Sequence, residues 1–63
     1  MKTTLIVEQT KNNYIHAEIV SKTGSISLGF RKAELEEWIS WKAWLRDLAR
    51  IIKADFVNKT NFC

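Results

Sequence analysis

The chain has 63 residues, a net charge of +3, 46% hydrophobic residues and one cysteine, Cys63. That length allows a single domain, residues 1–63, which would bury only about 60% of its unfolded surface. The lone cysteine excludes a disulfide within the chain, and one histidine, His16, far from Cys63 leaves no metal cage, so no cofactor is expected. Stability must then come from efficient packing or from a partner subunit.

The apolar content is that of a globular protein. No run approaches the ~20 apolar residues of a membrane span. The first residues, MKTTLIVEQTK, are too short and too polar for a signal peptide, so a cytoplasmic protein with a reduced Cys63 is expected.

Residues 1–30 read as a three-stranded antiparallel meander. Thr3 to Glu8 contains the β-rich run Leu5-Ile6-Val7, and Lys11-Asn12-Asn13 is a polar turn. From Asn13 to Val20, Ile15, Ala17 and Ile19 alternate with Tyr14, His16 and Glu18. Lys22-Thr23-Gly24 forms a second turn, with Gly24 free to adopt a positive φ. Ser25 to Phe30 alternates again, setting Ile26, Leu28 and Phe30 against Ser25, Ser27 and Gly29.

The period changes near Arg31. At 100° per residue, Trp38, Trp41, Trp44, Leu45, Leu48, Ile51, Ile52 and Phe56 fall on one arc, bordered by Leu35 and Ala49. No Pro or Gly interrupts residues 31–57, and Glu34, Glu36 and Glu37 suit a helix start. The pattern predicts an α+β fold, β-β-β-α, in which one long C-terminal amphipathic helix over residues 31–57 lies on the meander and residues 58–63 form a polar tail. Such a helix is roughly 37 Å long and a six-residue strand roughly 20 Å, so the sheet cannot cover it all. The 3-4-3-4 spacing of Trp38, Trp41, Leu45, Leu48 and Ile52 suits a seam between two helices, with Trp44 beside it. A homodimer is expected.

A row of cations also runs along the predicted helix. Lys42, Arg46 and Arg50 follow at i, i+4, Lys53 continues the row, and Lys32 joins it; only Asp47 relieves it. Such a row reads either as a solvated face or as a docking stripe for an acidic protein surface or a nucleic acid. Ser25 and Ser27 could lie near His16 across the hairpin, but neither sits in a recognisable nucleophile motif, and Cys63 has no activating surroundings, so no enzyme is expected.

Residues 13–39, NYIHAEIVSKTGSISLGFRKAELEEWI, resemble the arm-type DNA-binding domain at the N-terminus of phage integrases. The resemblance rests on Tyr14, Lys22-Thr23-Gly24, Ser27-Leu28-Gly29 and Glu36-Glu37-Trp38. It implies a three-stranded sheet and a helix, with the exposed sheet face entering the major groove. Tyr14, His16, Lys22 and Lys32 would then contact DNA. Glu18 on that face departs from the family's basic or polar pattern, and the helix is longer and richer in Trp.

Three functions follow. The leading expectation is a small non-enzymatic binding or regulatory protein, homodimeric, of the kind phages and other mobile elements use to inhibit or retarget host factors. It would act through Lys32, Lys42, Arg46, Arg50 and Lys53. The second is an accessory DNA-binding protein. The third is a membrane-surface protein using a Trp/Leu/Ile helix face flanked by Lys and Arg, which the strands oppose because their apolar side needs the same helix.

Overall fold

The computed structural model describes residues 2–61, so Cys63 lies outside the described residues. Three strands come first, β1 (Thr3–Gln9), β2 (Tyr14–Ser21) and β3 (Gly24–Lys32). A helix, α1 (Leu35–Ile51), and a fourth strand, β4 (Ala54–Lys59), follow. The expected β-β-β-α order is therefore corrected to β-β-β-α-β, with the helix in the middle of the chain. The sheet order is β3-β2-β1-β4, and it is mixed: β1 pairs antiparallel with β2 and parallel with β4.

The helix stops where neither Gly nor Pro announces a stop. Ile52 and Lys53 leave the helical path, and Lys53 adopts φ 56. Their amides still reach back into the helix, Ile52 N donating to Leu48 O at 3.0 Å and Lys53 N to Arg50 O at 3.2 Å. These bonds satisfy carbonyls that a helix end would otherwise leave without partners. Ala54-Asp55-Phe56-Val57 then extends along the second edge of β1, Phe56 opposite Leu5 and Val57 opposite Ile6. Parallel pairing of β1 with β4 requires a long crossover, and α1 supplies it. At 17 residues the helix is about 25 Å long. The surplus of helix over sheet expected from residues 31–57 disappears.

The turns follow local chemistry. Lys11–Asn13 is a single 3-10 turn in which Asn12 (φ 63) and Asn13 (φ 62) take the left-handed conformation that Asn tolerates. Gly24 opens β3 with φ 144. The alternation of β3 is broken by a bulge opposite Ala17 and Glu18, where Gly29 faces Ala17 and Ser27 faces Glu18. Leu28 is the extra residue, and it packs against the core beneath α1. Beyond the bulge the parity has shifted. Phe30, expected on the apolar side with Ile26 and Leu28, instead meets Tyr14 and His16 on the opposite face, with ring centroids 5.4 and 5.9 Å apart.

One core holds the layers together. Leu5 and Val7 of β1, Ile15 and Ala17 of β2, Ala33, and Trp38, Leu45 and Ala49 of α1 are all buried. Trp38, Leu45 and Ala49 recur at i, i+7 and i+11, one stripe of the helix. Ile19, Leu28, Trp41, Ala54 and Phe56 close the margins. No helix among the described residues is long and apolar enough to cross a membrane.

Candidate interaction surfaces

The three tryptophans have three different positions. Trp38 is wholly buried in the core, and its ring meets that of Trp41 edge-on, with centroids 6.1 Å apart at 79°. Trp41 is half-buried at the margin, and Trp44 remains 54% exposed. Leu45 is buried, while Leu48 and Ile52 are half-buried. The set expected to form a helix seam is thus divided, because Trp38 and Leu45 are committed to the core of their own chain.

Trp41 and Trp44 instead line a groove of about 520 Å³ between α1 and β3, together with Leu28, Gly29, Arg31 and Glu37. Its floor exists because Gly29 has no side chain: a Cβ there would lie 3.0 Å from Cζ2 of Trp41. Arg31 and Glu37 join β3 to the helix start through a 2.6 Å ion pair at the groove wall.

The opposite flank of α1 carries the cation row. At 100° per residue, Leu35, Ile39, Lys42, Arg46 and Arg50 fall within an arc of about 80°, roughly 160° around the axis from Trp44. Leu35 and Ile39 are 50% and 51% exposed, Lys42 is half-buried, and Arg46 and Arg50 are exposed. Arg50 meets Asp47 at 3.3 Å on the open surface, where such a pair contributes little. Among the described residues Lys42 and Arg46 make no ion pair. Lys53 extends the basic character into the exposed turn before β4. Lys32, expected in the same row, does not join it. It pairs with Tyr14 across the strands and shares the far face of the sheet with Phe30.

That far face bears the residues singled out by the arm-type resemblance. Tyr14, His16 and Lys32 share it, and Lys22 sits in the exposed β2–β3 turn. The strand registers also bring Glu8, Glu18 and Asp55 to this face, with Ile6, Val20 and Val57 between them. Lys32 and Lys59 share this face, and Lys2 pairs with Asp55 at 3.3 Å, so its charges nearly balance and it lacks the strongly basic footprint of a phosphate-binding surface. His16 Nε2 lies 3.1 Å from Ser27 Oγ in a hydrogen bond. Glu8 stands opposite His16 on β1, yet among the described residues no hydrogen bond reaches the second ring nitrogen. No group of three His, Cys, Asp or Glu suited to a metal occurs among the described residues.

Leu35 was read only as a border of the apolar arc, and Ile39 was not singled out because it falls off that arc. Their spacing to the cations was the available signal: 35, 39, 42, 46 and 50 repeat at 4-3-4-4. The groove could not be read, because it depends on the bulge at Leu28.

A scan of protein-family models found no match to the chain, and searches of curated proteins and of solved structures found none either.

Proposed function

We propose that the protein acts by binding, without catalysis, and that its contact surface for an acidic protein partner is the flank of α1 from Leu35 to Arg50. The observation that carries this reading is the juxtaposition of two half-exposed apolar side chains, Leu35 and Ile39, with Lys42, Arg46 and Arg50 on one helix flank. The strip is about 22 Å long. Solvated helix faces rarely need exposed Leu and Ile beside unbalanced cations, whereas interfaces combine apolar anchors with a charged surround. The cations steer an acidic partner and set its register. The apolar anchors favour a protein over a nucleic acid, whose phosphates offer nothing to Leu35 or Ile39. A membrane surface fits less well, because the larger apolar face of α1 is already covered by the sheet.

Affinity capture from the native host with the wild type and with an Arg46→Glu/Arg50→Glu variant tests the reading. A protein retained by the wild type and lost by the variant is expected. Equal retention by both would remove the flank from consideration, and a low-salt shift of mixed-sequence DNA duplex abolished by the same variant would favour nucleic acid instead.

A further inference from the structure

The two edges of the sheet are unlike. β4 has six residues, carries Asp55 and Lys59, and is followed by Asn61, whose amide donates to Gln9 Oε1 at 2.7 Å. β3 has nine residues, and from Gly24 to Phe30 it holds neither a charge nor a Pro. Edge strands in folded proteins are normally kept apart by such charges, by Pro, by bulges or by short length, and over Gly24 to Phe30 β3 has only the bulge at Leu28. β3 also presents Ile26, 64% exposed, on the helix side and Phe30, 59% exposed, on the other. Beyond Ile26 on the same edge, Leu28, Gly29 and Arg31 line the groove that also holds Trp41 and Trp44. The same edge therefore carries a projecting apolar side chain and a recess to receive one.

The geometry points to a second copy of this chain as the occupant of that edge, paired antiparallel through β3. Among registers that pair β3 from Ser25 to Lys32, one keeps every opposed pair on a common side of the joined sheet. On the helix side, Leu28 meets Gly29 of the second copy and Ile26 meets Arg31. On the far side, Ser27 meets Phe30 and Ser25 meets Lys32. These sides follow from the pairing of β3 with β2 and from the packing of Leu28. The bulge lies at the two-fold axis, so its parity shift is repeated symmetrically and cancels, and the interface is isologous.

Charge supports the same arrangement. The cations of β3, Arg31 and Lys32, lie at its C-terminal end. Antiparallel pairing sets the two Lys32 residues seven positions apart, about 24 Å, beyond the screening length of ordinary buffer. Arg31, which Ile26 of the second copy approaches, is already paired with Glu37. The two four-stranded sheets become one of eight strands, with both helices on one face and the two Trp41–Trp44 grooves adjoining. The joining edge and the Leu35–Arg50 flank lie on opposite flanks of α1, so the dimer and the proposed partner contact are independent.

Sedimentation equilibrium over a concentration series, with hydrogen exchange at the two ends of that series, tests this. A dimer is expected whose formation protects amides of residues 24–32 and leaves those of 54–59 unchanged. Ile26→Lys, checked for native circular dichroism, should weaken the dimer at least about tenfold, while Ile39→Lys on the far flank should leave it intact. A wild type that stays monomeric throughout overturns the inference. So does a dimer whose added protection falls outside β3, which reads the interface without any substitution. A folded Ile26→Lys variant that dimerises as well as the wild type overturns it too.

Discussion

The indole of Trp41 lies against the bare backbone of Gly29, so closely that a Cβ on Gly29 would stand 3.0 Å from Cζ2 and 3.4 Å from Cη2 of the ring. Trp41 in turn packs edge-on against buried Trp38, so any retreat of its ring disturbs that contact. Gly29→Ala should therefore lower stability by about 1–3 kcal/mol, the usual range for an extra methyl in a packed place. Urea unfolding followed by tryptophan emission measures it; an unchanged or higher midpoint would show that the ring shifts freely.

The tryptophans should differ sharply when truncated. Trp38 is fully buried and Trp44 is more than half exposed. Trp38→Ala removes about 3–5 kcal/mol, most of the stability of so small a domain, and should abolish cooperative thermal unfolding. Trp44→Ala should change stability by less than about 1 kcal/mol. Comparable losses at both positions would contradict the burial of Trp38 and the exposure of Trp44.

At the end of α1, Lys53 holds φ 56, a conformation that Gly adopts without penalty and that costs a lysine side chain strain. Lys53→Gly should raise stability by about 1 kcal/mol, because relief of strain at a helix C-terminus outweighs the added freedom of the unfolded chain. A lower denaturation midpoint for this variant would place the helix end elsewhere.

Truncation after Lys53 separates a fourth strand from a helical extension. The strand contributes the parallel ladder to β1 and covers Leu5 with Phe56. Its removal exposes both the ladder and the core, so the shortened chain should lose its cooperative transition by circular dichroism. Frayed but cooperative behaviour would be the signature of a helix that had simply lost its last turn.

That distinction marks where the sequence stopped being legible. The strands around Leu5, Ile15 and Ala17 were readable because alternation and burial agree there. Trp38, Leu45 and Ala49 were readable as a helix face for the same reason at the longer period. The end of α1 was not, since Phe56 falls four residues after Ile52 and so continues the helical arc by coincidence of spacing. What stops the helix is a lysine in a left-handed conformation and an edge of β1 that needed a partner, and neither is a local signal. Phe30 was misplaced because one extra residue at Leu28 reverses every side chain beyond it. For the contact surface, the cations Lys42, Arg46 and Arg50 were visible in advance, but Lys32 was grouped with them because residues 31–57 read as one helix, whereas Lys32 ends β3.

The contact role of the Leu35–Arg50 flank is tested most directly by the affinity of the purified protein for the partner it captures. Arg46→Glu/Arg50→Glu and, separately, Ile39→Lys should each weaken the complex at least about tenfold, while Ile26→Lys on the opposite flank should leave the affinity unchanged. A Kd that is the same for the wild type and the double arginine variant would contradict the assignment.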